Sequence, residues 1–233
     1  MNIIDRDKNI IFYEKEHKYC INGETDYTSV TTFIKTLFEE FDVEKVISFI
    51  LKSKKINDPN YEYYNMNANQ IKQVWKQQTL LGTLLHKDIE NYYNDIEVNN
   101  TSKEYQFFKN FVFHSKHLKP FKSEWRIYSE KLKICGTIDM IYQLENGNYV
   151  LCDFKRSKCI NLSDNYGKFC LHPKLSHIPD TNYYHYSIQL SLYKYILETC
   201  YNIKIESMFL LVLHPNNDNY ITYEVNNILG NLF

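Results

Sequence analysis

The chain has 233 residues, 44% of them hydrophobic and 24% charged, with a formal net charge of −1, which suits one sizeable core with elaborations. It contains no run of 18 apolar residues, and its opening MNIIDRDKNI is charged where a secretory signal needs an apolar stretch, so an intracellular protein is expected. Six scattered cysteines lack the density of a disulfide scaffold, and reduced thiols are the expected state.

In chain order, NIIFYEKEHKYCINGETDYTSV alternates apolar and polar residues around Asn22-Gly23, a hairpin signal, and predicts two short strands before Thr28. SVTTFIKTLFEEF and VEKVISFILKSKK space their apolar residues by three and four, as helices do, and Asp58-Pro59 opens a loop. Helical periodicity then holds from Gln70 to Tyr93, and a further helix is expected from Lys103 to His117. After Pro120 the period changes to two. FKSEWRIYSEK, KICGTIDMIYQ and NYVLCDFKR predict a meander of three strands, the last two joined at Asn146-Gly147. A helix over Tyr183 to Thr199 and the apolar strand IESMFLLVLH follow a polar loop. The order predicts an α/β (α+β) fold with helices on a small central mixed sheet, as one domain: 1–69 an N-terminal hairpin and helical elaboration, 70–215 the core, 216–233 a C-terminal strand and tail.

Within NYVLCDFKR, strand alternation puts Asp153 and Lys155 on one face and Phe154 on the other. Asp139 lies on the partner strand of the same predicted hairpin, so its carboxylate is expected near that of Asp153. Two carboxylates on an apolar hairpin raise each other's pKa unless a cation neutralises them, and an oxygen-ligated divalent metal is the simplest such cation. His86 and Glu90 share one face of the earlier helix, as do Gln189 and Tyr193 on the later one.

Four segments, GTLLHKDIE, GTIDMI, VLCDFKRSK and QLSLYKY, resemble in that order the motifs of the PD-(D/E)XK nuclease superfamily. The likeness is to its RecB-like and lambda-exonuclease-like branch, which includes the mitochondrial genome maintenance exonucleases, and it covers roughly residues 80–215. It implies a restriction-endonuclease-like core and Mg²⁺- or Mn²⁺-dependent cleavage of DNA. Asp139 and Asp153 would hold the metal with the Phe154 carbonyl and His86 as further ligands. Lys155 would orient or deprotonate the attacking water, and Glu90 would bind metal-bound water or a second metal. Gln189 and Tyr193 would support the site or contact the DNA backbone. No proline precedes Asp139, as is common in this branch. The resemblance points to an exonuclease acting on single-stranded DNA or DNA ends in replication, repair or recombination. Its rivals are a non-catalytic nucleic-acid-binding protein of the same fold and a restriction-type endonuclease.

From Lys103 to Lys174 basic residues outnumber acidic ones 13 to 7, a balance that suits a locally basic surface for a polyanion and equally a solvated mixed-charge surface. Arg126, Lys131, Lys133, Arg156 and Lys158 could line a phosphate track, with Trp125, Tyr128 or Tyr166 stacking on unpaired bases. Some relatives in the branch carry an iron–sulfur cluster; Cys20, Cys159, Cys170 and Cys200 lack the closely spaced pair such clusters use, and no cluster is expected.

Overall fold

The structure is a computed structural model, and it describes residues 5–163 and 167–230. A six-stranded mixed sheet lies between two layers of helices. Its meander is the one the sequence predicts: β4 (Lys119–Ser129), β5 (Ile134–Gln143) and β6 (Tyr149–Lys155) pair antiparallel, and the β5–β6 turn uses Gly147 at φ 84. After β6 the chain crosses through α5 (Asn182–Cys200) to β7 (Ile205–Val212), which runs parallel to β6, and β8 (Ile221–Glu224) closes that edge antiparallel.

The N-terminal part contributes to both the sheet and its covering. β1 (Ile10–Tyr13) and β2 (Lys18–Ile21) form a separate hairpin. Its turn is at residues 14–17 and not at Asn22-Gly23, as the sequence suggested. Asn22 and Gly23 do take the positive φ values of a tight turn, 52° and 84°, but this turn closes only the single bridge between Ile21 and Glu24. The polar stretch that follows offers no alternating apolar face to extend a strand. β3 (Thr28–Ser29) then runs parallel to the start of β5, and Ser29 caps α1 (Val30–Thr36) by accepting from the Thr32 amide at 3.1 Å. α1 ends five residues before the apolar period does, because Leu37 and Phe38 are buried as a loop and the Leu37 carbonyl is held by the Leu171 amide at 2.8 Å.

α2 (Val43–Lys52) is followed by α3 (Ala68–Tyr93), which opens with a reciprocal cap between Asn67 and Gln70. α3 is about 39 Å long at 1.5 Å per residue. Of its side chains only Ile71, Leu85 and Ile89 are buried, so its second half rests on the sheet while its first half, carrying α2, projects from it. α4 (Lys103–His114) packs beside it.

Alternation along the strands builds two cores. α1 and α5 cover one face through Val30, Ile34, Ile188, Leu192 and Ile196 against Trp125, Leu151 and Leu210. α3 and α4 cover the other through Leu85, Ile89, Phe108 and Phe111 against Met140, Cys152, Phe154 and Leu211. At roughly 1.5–3 kcal/mol for each large apolar side chain removed from water, these two layers are the main drive for folding. Among the described residues no helix is long and apolar enough to cross a membrane.

Candidate functional site

In the antiparallel β5–β6 pairing Met140 faces Cys152 and Ile141 faces Leu151, so the next pair in register would be Asp139 with Asp153. The ladder stops before it. Instead the Asp139 carboxylate turns inward and accepts from the Phe154 backbone N–H at 2.7 Å, taking the place of a ladder carbonyl. The strands part where two like charges would otherwise stand opposite each other, and polar side chains fill the opening from both helical layers.

From α3, His86 enters. Its Nε2 lies 2.9 Å from the Phe154 carbonyl and therefore carries the proton that this oxygen accepts. Its Nδ1 faces Asp139 Oδ2 at 3.6 Å and Glu124 Oε1 at 3.9 Å. These gaps are too long for hydrogen bonds. They suit ligands on a common ion, because bonds of about 2.1 Å leave ligand atoms roughly 3–4 Å apart. His86, Glu124 and Asp139 each place one ligand atom within 4.8 Å of the others, and among the described residues no other group of three His, Cys, Asp or Glu side chains does so.

From α5, Gln189 donates to Asp153 Oδ1 at 3.0 Å. Lys155, two residues along the same strand, brings its ammonium to 2.6 Å from Asp153 Oδ2, off the line of a good hydrogen bond, and lies 4.5 Å above the Tyr186 ring. Tyr193 is fully enclosed beneath them. Its ring occupies the space a side chain at Gly136 would need, since a Cβ there would come within 2.8 Å of Cε1.

Burial pushes Asp153 up to about 6 against the pull of Lys155, and Asp139 beside it adds to the rise. Asp139 is raised as well, by burial, with His86 and Lys155 opposing. Burial works against a charged His86, yet Asp139 and Glu124 prevail and push the ring up to about 9. Lys155 is likewise held above its usual value by Asp153 and Asp139 despite its burial, so it stays charged. His86 Nδ1 and the Glu124 and Asp139 carboxylates thus face a common small space, with the Asp153 carboxylate and its Lys155 partner beside it. The Phe154 carbonyl, which the sequence offered as a further ligand, lies on the Nε2 side of the ring and is turned away from that space. Carboxylate oxygens with one imidazole nitrogen are a donor set that a divalent cation such as Mg²⁺ or Mn²⁺ accepts, and both Asp153 oxygens are engaged, Oδ1 by Gln189 and Oδ2 by the Lys155 ammonium.

Several residues expected at the site are elsewhere. Glu90 pairs with Lys87 at 2.7 Å, and Glu124 of β4, which the sequence did not single out, takes the acidic position beside His86. In an alternating strand Glu124 reads as an outward-facing carboxylate. Its left-handed backbone, φ 46, turns it toward Asp139, which faces it across β4 and β5 between the Ser123–Met140 and Trp125–Ile138 pairs. Gln189 and Tyr193 are buried behind the carboxylates and cannot touch a DNA backbone. Arg156 is enclosed in an ion pair with Glu104 of α4 at 2.7 Å and hydrogen-bonds Gln78, so it is structural. Lys158 is exposed with Glu62 at 3.4 Å, Lys133 is held by Glu24 and Asp26, and Arg126 and Lys131 are exposed. Trp125 and Tyr128 are buried and offer no stacking face, and Tyr166 lies outside the described residues.

Fold and site together define a mixed α/β protein with a candidate cation centre where two strands of its sheet diverge. No family model matches the sequence, and no curated protein matches it. Among solved structures the chain is similar to one described as the crystal structure of SSO0001, at 16% identity and a TM-score of 0.35, covering 87% of this chain and 68% of that one.

Proposed function

We propose that this chain is a metal-dependent nuclease of the PD-(D/E)XK superfamily, with a restriction-endonuclease-like core and the closest affinity to the RecB-like and lambda-exonuclease-like branch. Its substrate would be single-stranded DNA or DNA ends, met in replication, repair or recombination. The observation that carries this is the convergence of Asp139, Asp153, Lys155 and His86 on the gap where β5 and β6 part.

A bound Mg²⁺ or Mn²⁺, held by His86, Glu124 and Asp139 with Asp153 beside them, would supply charge neutralisation and an acidified water for phosphodiester hydrolysis. The chain's own groups do the rest. Lys155 is a charged donor at the edge of the site, so it orients the nucleophile and stabilises negative charge on the phosphate rather than removing a proton. Gln189 fixes the orientation of Asp153, and the Phe154 amide fixes that of Asp139.

The test compares wild type with Asp153→Asn and Lys155→Ala on end-labelled linear and covalently closed single-stranded DNA, with Mg²⁺, Mn²⁺ or EDTA. The expected result is metal-dependent loss of the linear strand alone, slowed about 100-fold or more by either substitution. Rapid cutting of circles would make the protein an endonuclease. Binding without degradation in either metal would leave a nucleic-acid-binding protein.

A further inference from the structure

Glu124 is a side-chain-bearing residue in the left-handed region, a conformation the chain keeps only where its surroundings impose it. Both of its flanks are fastened to one carboxylate. Asp7, in the short 3₁₀ turn Asp5–Asn9, accepts from the Trp125 indole N–H at 2.7 Å and pairs with the buried Lys122 ammonium, which also lies 4.4 Å over the Trp125 ring. Asp7, Ile10, Glu124, Trp125 and Arg126 line one cleft, so the fastening point and the kinked residue face the same space. The turn is itself anchored further along β4: Arg6 lies 4.2 Å over the Tyr128 ring and pairs with Glu130 at 2.6 Å. The N-terminal turn therefore grips β4 on both sides of Glu124.

We propose that Asp7 is a positioning residue for the candidate metal centre. By holding Lys122 and Trp125 it keeps residue 124 left-handed, and so delivers the Glu124 carboxylate to His86 and Asp139. This rests on the cation-centre reading above, though not on nuclease activity. A side chain that orients a ligand from outside the site is expected to alter metal affinity by about 10- to 100-fold.

The experiment is a double-substitution cycle read by Mn²⁺ titration, with Asp7→Asn, Glu124→Gly and the pair. Glycine accepts the left-handed backbone, so Glu124→Gly removes the carboxylate without disturbing the turn. Asp7→Asn is expected to weaken Mn²⁺ binding about 10-fold in the wild-type background and less than about twofold beside Gly at 124. Equal losses in both backgrounds, or no loss, would overturn the proposal. Should Asp7→Asn fail to fold, Trp125→Phe, which removes the indole N–H together with one ring of the side chain, takes its place with the same two outcomes. If wild type binds no Mn²⁺, the cation-centre reading falls, and the intraresidue HN–Hα NOE of residue 124 decides the clamp by itself: persistence of the strong NOE of a positive φ in Asp7→Asn would overturn it, and its loss would support it.

Discussion

His86 shows how a single residue couples the site to pH. In the unfolded chain its ring titrates near 6.5, and in the folded protein near 9, so the folded state binds the proton more tightly. Its contribution to stability is therefore present below about pH 6.5 and lost as pH rises through 9. Asp153, raised to about 6, has the same sign over a lower window, from about 4 to 6. Metal-free protein is expected to lose stability in both windows, and urea unfolding across pH with His86→Gln should flatten the upper window and move the lower one to higher pH, because the His86 charge holds the Asp153 carboxyl down. Gly136 is a second single-residue determinant. A methyl group there meets the Tyr193 ring, so Gly136→Ala is expected to cost about 1–3 kcal/mol in chemical denaturation. A substitution that left stability unchanged would mean that Tyr193 yields easily. Neither role could be read from one residue's identity, since a histidine on a helix and a glycine in a strand each have several ordinary uses.

At the scale of elements, the end of β6 is tied to α4 by Arg156 and Glu104, both nearly enclosed. Removing one partner of such a pair strands the other charge. Arg156→Met is thus expected to destabilise the fold by about 3 kcal/mol, and the double replacement with Glu104→Leu to recover much of that loss. If Arg156 contacted phosphate instead, the single substitution would lower DNA affinity at constant stability, which fluorescence anisotropy and denaturation together would show. The elements themselves were largely legible: α3, α5 and the meander follow from period, caps and the Asn146-Gly147 turn. Misread were the first hairpin, where an Asn-Gly turn stood next to a better-patterned pairing, and the end of α1, where burial of Leu37 and Phe38 outweighed helical period.

For the whole molecule, the candidate centre is assembled from α3, β4, β5 and β6, so any ion held there ties together segments distant in the chain. Binding to the folded state alone stabilises it, by about 2.7 kcal/mol at a free ion concentration 100 times Kd. For a chain of this size that is roughly 5–10 °C in Tm. Wild type melted in Mn²⁺ should show this rise over protein in EDTA, and Asp139→Asn should abolish it. An unchanged Tm in wild type at millimolar Mn²⁺ would remove the cation centre.

Most helices and strands, and the side chains that share a face on them, follow from local pattern, because turns, caps and periodicity act between neighbours. On that basis Asp153 and Lys155 share one face of one strand, and His86 shares a helix face with Glu90. Which atoms meet depends on the folded chain. The parting of β5 and β6 at Asp139, the left-handed turn at Glu124 and the withdrawal of Arg156 into an ion pair each depend on a partner that arrives from far along the chain. Local pattern cannot encode such encounters, because the energy that selects them comes from long-range packing and from charges whose separation is set by the whole fold.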